Sequence, residues 1–131
     1  MTTIRGYYDE IYFTESNINK FEFVDNDLII DIESGLIVSG EHPLADSLKM
    51  SDSCRLIFQN VASSRRDLYI YAGDPKVDGF KESKTITDDV NSALLSKSSY
   101  EYNVEGVLLK EPKAWISWNI VAEDFYIDDL K

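Results

Sequence analysis

Hydrophobic and polar positions alternate with period two along most of the chain, and the alternating runs are rich in β-branched and aromatic residues, the pattern of half-buried antiparallel strands. The clearest case begins at Lys20. Phe21 and Phe23 share one face, Asp25-Asn26 forms a two-residue turn, and Leu28, Ile30 and Ile32 continue on the returning strand. That turn sets Phe23 opposite Leu28, Phe21 opposite Ile30 and Lys20 opposite Asp31, so apolar meets apolar and cation meets anion. Glu33-Ser34-Gly35 has the length and the glycine of a three-residue hairpin loop, which places Leu36 opposite Ile32 and Val38 opposite Ile30 in a meander over 19–39.

Further strands are predicted at 55–61, 67–72, 100–109, 114–122 and 125–128, with turns at 62–66, 73–79, 110–113 and 123–124. Residues 40–53 are polar, contain Pro43 and leave room for one helical turn around Leu44 to Leu48. Between Gly79 and Tyr100 the period changes: Thr87 is placed to cap a short helix whose first turn carries Asp88 and Asp89 and whose buried stripe is Val90, Ala93 and Leu94. Ile4 to Phe13 fits either a helix face or an aromatic edge strand. The expected fold is mainly β, with α+β left open. It is a single domain over 1–131, an antiparallel β-sandwich or curved sheet of seven to eight strands with one short helix.

A chain of 131 residues with 44% hydrophobic content needs no disulfide to fold, and Cys54 is its one cysteine. There is thus no disulfide framework, no multi-cysteine metal site and no apolar run of membrane-spanning length, and a cytoplasmic location is expected. The formal charge of −11 argues against nucleic acid or an anionic membrane as partner. That charge is segregated. Residues 1–46 hold ten acids against Arg5 and Lys20, residues 123–131 hold four against Lys131, and the middle of the chain has ten of each sign. Separated charge of this kind steers and orients a cationic partner.

No catalytic signature appears. His42 is the single histidine, which rules out a multi-imidazole zinc centre, and beside Pro43 it reads as an exposed loop residue. Cys54 abuts a strand carrying Leu56 and Phe58 and reads as a buried structural thiol. Asp25-Asn26-Asp27 starts like a calcium loop, but the apolar run that begins with Leu28 and Ile29 stands where a further oxygen ligand and a glycine are needed. Phosphate-binding glycine loops and nucleophile elbows are absent, and Arg65-Arg66 reads as a hairpin cap screened by Asp67. No cofactor, metal or enzymatic activity is expected.

Aromatic residues are the other excess. On 114–122 Trp115 and Trp118 have opposite parity. Trp118 shares its side with Ile116 and Ile120 and is expected in the core, while Trp115 faces outward. Tyr69, Tyr71, Trp115 and Tyr100 are candidates for an exposed stacking platform, the basis of an alternative reading as a carbohydrate- or small-ligand-binding module.

In size, acidity, cysteine poverty and β-rich character the chain resembles the small immunity proteins of bacterial contact-dependent and polymorphic toxin systems. No motif carries that likeness, so it assigns no residue. It implies an inhibitor that covers the active site of a basic partner, a nuclease-like toxin; a DNA-mimicking inhibitor of a nuclease would use the same physics. The interface is expected where acids adjoin aromatics: Tyr7, Tyr8, Asp9 and Glu10; Asp25, Asp27, Asp31 and Glu33; and Glu123, Asp124, Tyr126 and Asp128.

Overall fold

Alternation along Ala114–Ala122 resolves in three dimensions into a strand whose every second side chain is fully buried, Trp118 among them, while Trp115 faces out. The structure, a computed structural model, describes residues 2–72, 79–110 and 113–130. In chain order the strands are β1 (Thr3–Arg5), β2 (Ile11–Tyr12), β3 (Asn17–Val24), β4 (Asp27–Ser34), β5 (Ile37–Val38), β6 (Cys54–Gln59), β7 (Ser63–Tyr71), β8 (Phe80–Thr87), β9 (Tyr100–Leu108), β10 (Ala114–Ala122) and β11 (Asp124–Asp128). Nine of them form one sheet in the order β1-β11-β6-β4-β3-β9-β10-β7-β8, and β2 pairs with β5. The mainly antiparallel β class holds. The strand number exceeds the expected seven to eight, and the described residues contain 3-10 turns at Tyr8–Glu10 and Ser92–Leu94 but no α-helix. None of the described helical segments is long and apolar enough to cross a membrane.

The β3–β4 hairpin has the register its sequence implies: Phe23 opposite Leu28, Phe21 opposite Ile30, Lys20 opposite Asp31. Asp25 closes the turn at φ 56°, a left-handed value that Asp tolerates better than most residues. The meander does not continue. Gly35 does adopt a left-handed φ of 88°, but its N–H donates to the Met50 carbonyl (2.6 Å) and the chain leaves the sheet. β6 takes the vacated edge of β4, setting Phe58, Leu56 and Cys54 opposite Leu28, Ile30 and Ile32. Three apolar pairs there outweigh the two that Leu36 and Val38 offer, and Val38 pairs with Ile11 instead. The expected turn at 62–66 also moves: Asn60 turns the chain at φ 54°, and Arg65 and Arg66 lie within β7. The turns expected at 73–79 and 110–113 lie largely outside the described residues.

The sheet curls until its two halves face each other. β9 stands three places from β6 and four from β11, which in a flat sheet would separate them by about 14 and 19 Å. Yet the Tyr102 ring on β9 lies 5.4 Å from Phe58 on β6 and 5.8 Å from Phe125 on β11. Tyr8, on the first 3-10 turn, closes this cluster edge-on to Tyr102 and Phe125.

Between the halves runs a single parallel pairing, Asn17 and Ile18 of β3 with Val107 and Leu108 of β9. Val107 N–H donates to Ser16 O (2.9 Å), Leu109 N–H to Ile18 O (3.0 Å), and Ser16 Oγ–H to Glu105 O (2.7 Å). Gly106 makes this approach possible: a Cβ there would sit 2.5 Å from Ser16 Oγ and 2.7 Å from Ser16 O. Gly106→Ala is therefore expected to lower the free energy of unfolding by about 3 kcal/mol, because backbone must shift to admit the methyl. Urea unfolding checks this, with Gly40→Ala, where a Cβ meets open space, as the control that changes little. Equal midpoints for the two variants would contradict the role given to the seam.

Candidate partner-binding surface

Three turns meet at the end of the sheet that carries the β3–β4 loop. Val61 N–H donates to Asn26 O (2.8 Å), Asn60 N–H to Asp27 Oδ1 (3.1 Å), and Asn60 Nδ2–H to Glu123 Oε2 (3.2 Å). These bonds stitch the β3–β4, β6–β7 and β10–β11 connections into one rim. Asp25, Asp27, Glu123 and Asp124, far apart in sequence, are thereby gathered at one end of the sheet.

The segment after β8 completes the rim. Asp88 was expected to begin a helix, but its carboxylate accepts from Arg66 Nη2 (2.6 Å) and Nε (3.0 Å) and from Ser64 Oγ (2.7 Å). Ser64 Oγ in turn accepts from the buried Trp118 Nε1–H (2.8 Å), and the Arg66 guanidinium lies 4.8 Å over the Phe21 ring. These bonds, with Asp88 N–H donating to Ser64 O (2.9 Å), tie Asp88 to β7, and the helix shrinks to the single turn at Ser92–Leu94, capped by Asn91 rather than Thr87. Asp89 follows directly and turns toward the β3–β4 loop.

Phe23, Asp25, Asn26, Val61, Asp89, Val90 and Asn91 together line a cavity of about 300 Å³. Among the described residues neither Asp25 nor Asp89 has a hydrogen-bonding or ionic side-chain partner. Phe23, 36% exposed, offers an apolar wall beside them. A lysine or arginine fits this lining: its methylene stem lies on Phe23 and Val90 while its charged head meets the carboxylates.

The other expected interface residues are placed differently. Asp31 is bridged by Arg55 (2.7 Å) and Lys20 (3.8 Å), and Asp124 by Arg5 (2.7 Å), so these carboxylates are locally compensated. Asp128 is 7% exposed and accepts from Thr3 Oγ1. Tyr126 is half-buried opposite Arg5 and Ile57, and Glu33 lies exposed near the far end of β4. Tyr8 points inward, its hydroxyl bonded to the Asn103 backbone N–H (2.6 Å) and C=O. Tyr7 and Asp9 are exposed and Glu10 is bonded to Ser39, all beside the 40–53 loop and away from the turn rim. Asp89 was missed: in sequence it reads only as a helix-start charge, and its place on the rim depends on the curl of the sheet.

Cys54 and His42 are both held inside the fold. Cys54 is a fully buried free thiol whose pKa desolvation pushes up to about 12, far from the thiolate form. His42, expected in solvent, is 3% exposed. Its Nδ1 accepts from Leu44 N–H (3.0 Å), Tyr7 packs 5.6 Å away, and Nε2 has no partner. No group of three or more metal-ligating side chains occurs among the described residues. No known family model, curated protein or solved structure matches the chain.

Burial pushes the His42 imidazole below its ordinary value of 6.5, with Glu10 opposing more weakly. The unfolded chain therefore takes up this proton first as pH falls, so folding stability drops from about pH 6.5 downward, before the carboxylates titrate. His42→Asn keeps an acceptor for Leu44 N–H and cannot titrate. Its unfolding free energy, measured from pH 7 to pH 5.5, is expected to vary less than that of the wild type; parallel curves would show that His42 does not contribute.

Proposed function

We propose that the chain is an acidic binding protein of the immunity or inhibitor kind, which neutralises a basic protein partner by covering its cationic active site. The observation that carries this reading is the cavity at the turn rim, where two carboxylates without side-chain partners flank an exposed phenylalanine. Asp27 and Glu123 add negative potential around it and raise the encounter rate with a cationic surface. A cleft built to hold phosphates presents the lysines and arginines that such a rim accepts, which is why a nuclease-like toxin is the partner class proposed. The −11 formal charge makes the same selection at long range. A DNA-mimicking inhibitor of a host nuclease would present the same rim and differ only in its partner. The proposed compartment is the cytoplasm, where a single buried thiol meets no oxidative demand.

The structure indicates which charges to reverse. Asp27 accepts a backbone N–H and its replacement would disturb the β6–β7 turn, whereas Asp25 and Asp89 are exposed and without side-chain partners. The expected outcome is that immobilised wild type retains a basic protein from native lysate at low salt and releases it in a sharp salt step. Asp25→Lys/Asp89→Lys, with an unchanged melting temperature, should associate with that protein at least about tenfold more slowly. Equal retention and rate for the double variant, or no basic protein retained, would contradict the reading.

A further inference from the structure

On the outer face of the other sheet half, Tyr69, Tyr71, Phe80 and Trp115 surround a shallow concavity of about 410 Å³. The core does not require these rings. The inner faces of the same strands already bury Leu68, Ile70, Ala114 and Ile116. Tyr69 and Phe80 are 39% and 57% exposed, and the strand registers hold the rings together: Trp115 opposite Tyr69, Tyr71 opposite Phe80. Tyr71 and Phe80 stack at 5.1 Å with 26° between their planes, and Tyr69 lies 5.8 Å from Phe80. An aromatic surface set on paired strands needs little reorganisation to receive a ligand.

Tyr69 also lines a second, polar concavity of about 310 Å³, whose walls include Asp67, Ser83, Lys84 and Thr85. Thr85 Oγ1–H donates to Asp67 Oδ1 (2.7 Å), and Ser117 stands beside Asp67 in the ladder. This row of hydroxyl and carboxylate groups runs two residues, about 7 Å, from the row of Trp115 and Tyr69. The two surfaces are therefore continuous through Tyr69. A wholly apolar ligand would leave the polar row unpaired, and Arg65 Nη2, 3.8 Å from Asp67 Oδ2, already compensates the one carboxylate of the row, so the row offers no net charge to a strongly ionic ligand. The lining fits a neutral molecule with apolar C–H faces and a hydroxyl rim.

From this geometry we infer a binding site for a neutral oligosaccharide, one sugar face stacked on Trp115, Tyr69 and Phe80 and its hydroxyls met by Asp67, Ser83 and Thr85. The site is independent of the acidic rim. Trp115 and Glu123 are eight residues apart, one within β10 and the other just past its end, a distance of about 27 Å along an extended chain.

Intrinsic fluorescence tests the assignment, because Trp118 is fully buried and Trp115 alone of the two tryptophans reaches the surface. Titration with cellohexaose, N-acetylchitohexaose and maltohexaose is expected to give a saturable emission change with at least one of the three, insensitive to salt. Phe80→Ala, at a position more than half exposed, and Tyr69→Ala should each weaken that affinity about tenfold, while Tyr100→Ala, exposed but outside the cluster, should leave it unchanged. The assignment is overturned if none of the three sugars gives a saturable change, or if both cluster variants bind as the wild type does. It is equally overturned if sedimentation shows a dimer that Phe80→Ala dissociates, since a second copy of the chain would then cover the rings.

Discussion

The curled sheet depends on a close contact between Ser16 and Gly106. Parallel pairing between β3 and β9 extends over two residue pairs, yet it joins one half-sheet to the other and lets their inner faces meet. A side chain at position 106 would occupy the space of the Ser16 carbonyl and hydroxyl, so the seam depends on the absence of a Cβ there. Where the seam closes, Phe21 comes to lie edge-on to Trp118 at 4.8 Å, and Tyr102 reaches the rings of Phe58 and Phe125. The aromatic content of the chain thus has two uses, one inside the fold at this junction and one outside it on the β7–β8–β10 face.

The same closure organises the polar groups. Arg66 sits with a side chain only 14% exposed and would be costly to bury alone, but the two Asp88 oxygens accept side-on from its Nε and Nη2, and Ser64 links that carboxylate to the Trp118 indole. By fixing Asp88, the network delivers Asp89 to the cavity beside Asp25. The local charge balance of the surface then separates by position: Asp31 is met by Arg55 and Lys20 and Asp124 by Arg5, while Asp25 and Asp89 beside the cavity are left for solvent or a partner. Of the acids that crowd the two chain ends, Asp25, Asp27, Glu123 and Asp124 meet at one end of the sheet, and Asp89 joins them from the charge-balanced middle of the chain.

Much of this was legible wherever it rests on near neighbours. The β3–β4 register follows from a two-residue turn and the alternation on either side of it, and β10 follows from nine residues alternating without interruption. Distance in sequence hid the rest. β1 pairs with β11 across almost the whole chain, and nothing in Thr3–Arg5 announces that partner. β8 lies at the sheet edge with all but Ile86 exposed, so it buries no face and shows no period-two signal. The choice of β6 over β5 as neighbour to β4 compares two distant pairings, which no local window contains. Asp25 and Asp27 were identified as candidate interface acids from their turn; Asp89 was not, since it meets Asp25 only after the sheet has curled. His42 was misplaced because burial in a polar, proline-containing loop has no periodic signature.

Interstrand ring contacts test the closure most directly, since a flat sheet would hold these rings about two to three times as far apart. Nuclear Overhauser spectroscopy of the folded protein should show cross-peaks from the Tyr102 ring protons to those of both Phe58 and Phe125, and from Phe21 to Trp118. Their absence, with the β4–β6 and β9–β10 ladders intact, would mean that the halves do not meet and that Asp25 and Asp89 do not share a site.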